Sequence, residues 1–509
     1  MVIRYASPFR YAGYTTLYLL LAAMQAVWGA DRPQWGERFS RNMVSPETGL
    51  PAKIDPTDAS GVKWVARLGT QTWSTPVVAG GKVLIGTNND EPRDPRQQGD
   101  RGVLMCLNEK DGSFCWQLVA PKLSDDVYKD WPQVGMVSPA TVEGGRVYMV
   151  TNRGEVVCLD LDGMANGNDG PYLDEGRHMV PPGGKPLDAA GTDADILWLF
   201  DVPIECGVYP HDGAHGSILV HGQFLYVNTS SGLHGSHKQI RSPDAPSLIV
   251  LDKTTGQLVA REQEGIGHKI FHSTWSSPAL GEVNGQTLVF FCGGDGVCYA
   301  FEPVTAVPPK GTVPKIKLVW RFDCDPTAPK ENIHDYIRNR QESPSNIKSM
   351  PVFYKNRIYV TVGGDIWWGK EKAWLQCIDA TGTGDITASG LLWSYPVKEH
   401  CCSTPSIVDG LVFVADCGRY VHCVDVETGK PYWTHDCEGE IWASTLAADG
   451  KVYIGTRRGQ LWVFAASKEK QVLCSVRLDS PMDASPVAAN GTLYIATMKS
   501  LYAFRSPTP

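Results

Sequence analysis

The chain has 509 residues, 42% of them hydrophobic and 20% charged, with a formal net charge of −8. That balance is the one soluble globular proteins carry. With no strongly basic stretch, it argues against nucleic acid as a partner.

The first 30 residues read as a secretory signal. Arg4 and Arg10 give the positive start, and Leu17–Val27 is an apolar run shorter than the ~20 residues a membrane span requires. Val27-Trp28-Gly29-Ala30 offers small residues for cleavage near Gly29 or Ala30. Residues 1–30 are therefore predicted to be removed, leaving a periplasmic or secreted mature chain without a transmembrane span. Residues 31–60 form a lead-in segment, and residues 61–505 form the body.

The body repeats itself eight times. Copies start near Ser74-Thr75-Pro76, Ser138-Pro139, Ser217, Ser277-Pro278, Ser349-Met350-Pro351, Thr404-Pro405, Ser444-Thr445-Leu446 and Ser485-Pro486. Pro405, Leu446 and Pro486 follow at intervals of about 40 residues, the size of a four-stranded propeller blade. Within a copy, alternating runs such as Arg146–Thr151 and Lys451–Thr456 are separated by Gly-Gly or Asp-Gly, the hairpin turns that need positive φ. No later segment holds a helical period. The predicted fold is all-β: a single eight-bladed propeller of four-stranded antiparallel blades. The last copy stops at Leu501–Phe504 without an outer strand, and Val62–Leu68 stands before the first copy. Pairing of these two ends would close the ring and remove an exposed edge.

Longer copies carry Gly-, Pro-, Asp- and Asn-rich insertions at Asn89–Arg101, Asp162–Asp195, His234–Ala245, Pro303–Pro314, Asp325–Ile347 and Thr381–Gly390. These are expected to be surface loops. Fourteen cysteines in an exported chain raise the question of disulfides. Cys106/Cys115, Cys292/Cys298 and Cys417/Cys423 each straddle a turn and could bridge a hairpin; Cys158 and Cys377 read as buried thiols. No Cys-x-x-Cys-His is present, which removes covalent haem.

Residues just before each inner strand should line the mouth of the central channel. They include Trp73, Asp212, His215, His272, Trp275, Lys348, His400, Trp442 and Asp483, a polar and aromatic set suited to a ligand site. His211, Asp212 and His215, joined by His272 or His400, could supply imidazole and carboxylate to a divalent metal.

Asp425-x-x-Thr428-Gly429-Lys430-x-x-Trp433 resembles the tryptophan-docking motif of pyrroloquinoline quinone (PQQ) type propellers. Asn108-x-x-Asp111-Gly112-x-x-x-Trp116 is a degenerate copy, and Asp252-x-x-Thr255-Gly256 keeps the turn but has Ala260 in place of Trp. The resemblance spans residues 61 to 505, and the lead-in is similar to that of exported propellers from planctomycete-type bacteria. It implies one of two roles. Quinoprotein alcohol dehydrogenases bind PQQ and calcium in the channel, with a ring formed by adjacent cysteines on one face of the quinone and a Trp on the other. Here that resemblance would place PQQ against Cys401-Cys402, with Trp73 or Trp442 as the stacking floor and Lys348 and Asp483 nearby. Glu205, Asn346 and Asp335 are the candidate calcium or base residues, though none stands in the local pattern of those enzymes. The other branch contains non-enzymatic scaffolds such as that of the outer-membrane barrel-assembly machine. The expected function is that of a monomeric binding or scaffold module whose partner is an envelope protein or an extracellular ligand, with a PQQ-dependent alcohol or sugar dehydrogenase as the alternative. No catalytic residue is assigned.

Overall fold

The computed structural model describes Met1 and residues 30–122, 126–212 and 216–506. The interior of the predicted signal segment and His215 lie outside the described residues.

Eight sheets follow one another along the chain. Each predicted copy start stands at or just before an innermost strand, and three antiparallel neighbours follow it outward. The first blade is Val77–Ala79, Lys82–Asn88, Arg101–Asn108 and Phe114–Pro121; the sixth is Ser406–Val408, Leu411–Ala415, Tyr420–Asp425 and Pro431–Asp436. The eighth is Val487–Ala489, Thr492–Ala496 and Ser500–Phe504, completed by Val62–Arg67 with Val65 opposite Tyr502. The ring closes as predicted, and no helix among the described residues exceeds five residues. None is long and apolar enough to cross a membrane.

At five seams the Ser/Thr that opens a copy joins it to the preceding blade. The Ser217 amide donates to the Ser277 hydroxyl at 2.8 Å, Met350 to Thr404 at 3.0 Å, Thr404 to Ser444 at 2.9 Å and Ser444 to Ser485 at 3.0 Å. The amide of Ser485 then donates to Thr75 at 3.2 Å across the seam. These side chains are buried, where an amide without an acceptor would cost about 1–3 kcal/mol.

Farther from the axis, tryptophans lock neighbouring blades. The indole N–H groups of Trp64, Trp116, Trp198, Trp320, Trp393 and Trp433 donate to carbonyls of Glu109, Leu161, Lys253, Ala380, Val426 and Ser467, each in a turn of the next blade. The receiving turn needs glycine. At Gly429 φ is +68°, and a Cβ there would sit 2.4 Å from Cε3 of Trp393. Across the strand pair, Trp116, Trp198, Trp393 and Trp433 face Cys106, Cys158, Cys377 and Cys423. The recurring cysteines are small residues beneath docking indoles, and all fourteen are unbridged thiols. The expected Cys417/Cys423 bridge is absent: Cys423 lies under its indole, whereas Cys417 Sγ is 3.9 Å from Cys402 Sγ. Cys292 and Cys298 are cross-strand partners, yet they too are unbridged, as are Cys106 and Cys115.

The lead-in belongs to the ring. Arg32 bridges Val78, and the Val142 amide donates to Pro33 O. Leu280 donates to Phe39 O and Phe353 to Ser40 O. Asn42 caps Ile407, Val44–Ser45 pairs in parallel with Leu446–Ala448, and Ser45 donates to Ala488 O. Arg41 is fully buried, its guanidinium spent on Trp35 O, Pro278 O and Ser217. Residues 31–45 thus touch all eight innermost strands or their approaches.

Replacing Trp393 by Ala should lower unfolding stability by about 3–5 kcal/mol, because it empties an inter-blade wedge. Urea denaturation followed by far-UV circular dichroism checks this, and a shift below about 1 kcal/mol would contradict the docking role.

Candidate functional site

Loops leading into the inner strands, which carry Trp73, Trp275 and Trp442, and the excursion between Arg357–Gly363 and Ala373–Asp379, which carries Trp367, bring four indoles together at the channel mouth. Trp73 lies 5.7 Å from Trp442, Trp442 5.5 Å from Trp367, and Trp367 5.7 Å from Trp275, between ring centroids. Beneath them, a cavity of about 90 Å³ is bounded by Trp35 of the lead-in, Trp73, Trp275, Trp442, Lys348, Cys402 and Asp483. Every predicted cofactor residue except Cys401 therefore lines one cavity. Lys348 Nζ sits 3.6 Å above the Trp275 ring and 3.1 Å from Asp365.

Asp365 was not singled out from sequence, yet it organises this end of the channel. Its Oδ2 accepts from His272 Nδ1 and from Asn346, both at 3.0 Å, besides pairing with Lys348. Its Oδ1 accepts the amides of Trp367 and Trp368 at 3.0 Å. Burial alone would raise this carboxyl, but His272 and Lys348 outweigh burial and hold it well below the usual carboxylate range.

Beside this node, three histidines converge. His211 and His272 precede the innermost strands of consecutive blades, and His237 comes from the long loop of the earlier one. One ring nitrogen from each lies within 4.8 Å of the other two, and all three side chains are buried. Nε2 of His211 is 3.1 Å from Nε2 of His272. Each Nδ1 has its own acceptor: Leu233 O at 2.7 Å for His211, Gly235 O at 3.0 Å for His237, and Asp365 for His272. Asp212 places one oxygen 3.5 Å from His211 Nε2 and the other 3.7 Å from His272 Nε2. Burial lowers His211 to about 4, and burial followed by the neighbouring His272 lowers His237. A small residue makes this convergence possible: a Cβ on Gly232 would lie 2.6 Å from the His211 Cβ. Of the predicted metal residues, His211, Asp212 and His272 are brought together. His237 was missed, because it stands in what read as a surface insertion; the run Gly232-Leu233-His234-Gly235-Ser236-His237 was the available signal.

His237 and His272 form one wall of a solvent-open bay of about 380 Å³, whose other walls include Tyr128, Trp131, Trp367 and Trp368. Trp368 lies 4.4 Å from His237, and Tyr128 stacks on His211 at 5.5 Å.

The arrangement does not fit a bound quinone. Cys401 turns into its blade and donates to Ala415 O at 2.6 Å, so the adjacent cysteines form no ring. Cys402 faces Cys417 and is drawn down to about 5, chiefly by the hydrogen bond from Cys417, with His400 adding to it against burial. The space beneath the indoles is too small for a fused three-ring tricarboxylate. Of the calcium candidates, Glu205 and Asp335 are exposed, whereas Asn346 is buried on Asp365.

Comparison with known proteins agrees with the fold. The sequence profile described as outer membrane protein assembly factor BamB matches residues 371–497. A quinohemoprotein alcohol dehydrogenase of Comamonas testosteroni is 29% identical over 108 residues, covering 19% of this chain and 15% of its own. A 1-butanol dehydrogenase (cytochrome c) of Thauera butanivorans is 31% identical over 96 residues, 16% and 14% of the two chains. The chain thus spans about one-seventh of the length of the curated relatives it matches. Among solved structures, a europium-containing methanol dehydrogenase superposes with a TM-score of 0.58 at 13% identity, over 94% of this chain and 98% of its own. BamB of Moraxella catarrhalis superposes with a TM-score of 0.51 at 11% identity, over 87% and 96%. These structural likenesses speak to fold. The chain is an eight-bladed β-propeller whose repeats are similar to those of PQQ-like propellers.

Asp483 gives this site a pH signature. Burial raises its carboxyl to about 7 despite Arg457 at 3.3 Å. Between about pH 4 and 7 the folded chain then holds a proton that the unfolded chain has released, so this group makes stability fall as pH rises. Asp483→Asn should remove that fall, gaining on the wild type from pH 5 to 8 in denaturant midpoints. Parallel curves would contradict the assignment.

Proposed function

We propose that this chain is an exported binding propeller of the cell envelope, taking a ring-bearing extracellular ligand into the aromatic bay at its channel mouth. One contrast carries the reading. The axial space that a quinone would need is about 90 Å³ and capped by indoles, whereas the bay beside it is about 380 Å³, open and walled by aromatic rings. Trp131 and Trp367 each leave 42% of their surface exposed there, an arrangement suited to stacking a flat or sugar ring. The match to an outer-membrane assembly factor profile and the predicted signal segment support an envelope location. The dehydrogenase relatives lend their names to the fold, but among the described residues the channel mouth has neither the cysteine ring nor a cluster of the calcium candidates Glu205, Asp335 and Asn346.

Two measurements test this. Protein incubated with PQQ and calcium and then gel-filtered should retain no quinone absorbance and reduce no dye with a panel of alcohols. Stoichiometric retention with alcohol-dependent reduction would overturn the reading. In parallel, titration with sugars and aromatic acids should quench tryptophan fluorescence saturably, with Trp131→Ala weakening the binding about tenfold or more, as the loss of a stacked ring does.

A further inference from the structure

The three histidines pose an electrostatic problem. Nδ1 of His211 faces a carbonyl oxygen, and so does Nδ1 of His237; Nδ1 of His272 faces the carboxylate of Asp365. These partners only accept, so in each neutral ring the proton resides on Nδ1 and the lone pair on Nε2. Nε2 of His211 faces Nε2 of His272 at 3.1 Å in a buried site, with a ring nitrogen of His237 within 4.8 Å of the pair. Lone pairs facing each other at that distance repel, and burial strengthens the repulsion. A cation shared between them turns it into attraction.

We propose that His211, His237 and His272, with Asp212 beside them, form a centre for a divalent first-row d-block ion of the zinc–copper class, with an open position facing the aromatic bay. The distances suit one ion. Two nitrogens bound at about 2.0–2.1 Å in a tetrahedral arrangement lie about 3.3 Å apart, close to the 3.1 Å found here. Asp212, whose oxygens are 3.5 and 3.7 Å from two of these nitrogens, supplies a carboxylate on the same side. Three imidazoles select a d-block ion over calcium or magnesium, which prefer all-oxygen sets. Each ligating ring already has the outer-shell acceptor that metal-bound histidines use to fix their orientation, and for His272 that acceptor is a carboxylate.

Asp212, His237 and His272 also line the bay. A water or an oxygen donor of the bound molecule can therefore complete the coordination, as at sites where three protein ligands leave a position open. That role for the bound molecule rests on the binding reading above; the metal centre itself does not.

The test uses chelator-stripped full-length protein and cobalt(II) as the probe. The wild type should take up one equivalent per chain with visible d–d absorption, and azide should shift that band by entering the open position. His237 sits on a loop and its ring is hydrogen-bonded through Nδ1 to Gly235 O, so His237→Ala should keep the wild-type circular dichroism while binding cobalt about 100-fold or more weakly. His272→Ala should lose the band as well. Sub-stoichiometric uptake by the wild type, a band indifferent to azide, or unchanged affinity in both variants would each overturn the proposal. Ring-ligand quenching measured in the presence of chelator reads the binding function separately, so the two can fail independently.

Discussion

Everything at the channel mouth is placed by the handshake between innermost strands, in which an amide of one blade donates to a Ser or Thr hydroxyl of the next. The bonds are short, buried and local to the axis, so they set the spacing at which inner loops face each other. Were blades held only at their outer rims, small tilts would be magnified at the centre. Because the hold is axial, side chains from loops 93 residues apart in sequence can meet within hydrogen-bonding distance. Asp365 reaching His272 is the clearest case. The docking indoles then control the wider angle between sheets, giving each blade an inner clasp and an outer wedge.

This division explains what could be read from the chain and what could not. The Ser/Thr-Pro starts, the Asp-Gly and Gly-Gly turns and the orphan strand at Val62 are local signals with a fixed period, and they carried the blade count, the strand order and the closure. The docking tryptophans were only partly legible. The turn motif was sought before its own Trp, whereas the turn receives the indole of the preceding blade: Gly429 accommodates Trp393, and Trp433 goes on to Ser467. Four of the six docking indoles lack a recognisable motif around them, so only register reveals them. The repeating cysteines misled for a related reason. A thiol beneath an indole and a thiol in a hairpin bridge occupy the same repeat position, and spacing does not separate them.

The site was legible in composition more than in membership. Residues before inner strands do converge on the mouth, as Trp73, Lys348, Cys402, Trp442 and Asp483 all do. His237 and Asp365 escaped because both lie in excursions between later strands of their blades, where sequence offers no register. Cys401 failed for a simpler geometric reason. Neighbouring side chains in extended backbone point to opposite faces, so only one of the adjacent pair can look into the channel. The other is committed to the blade interior, where Ala415 receives its thiol.

The lead-in has a bearing on how the molecule is assembled. Residues 31–45 leave the ribosome before any blade, yet their partners include Ile407, Ala447 and Ala488, which emerge hundreds of residues later. Such distant pairings are slow to form and leave early segments waiting. The thread that laces the rosette is made early and tied last, so cutting it short should leave the ring to its inner clasps and outer wedges alone.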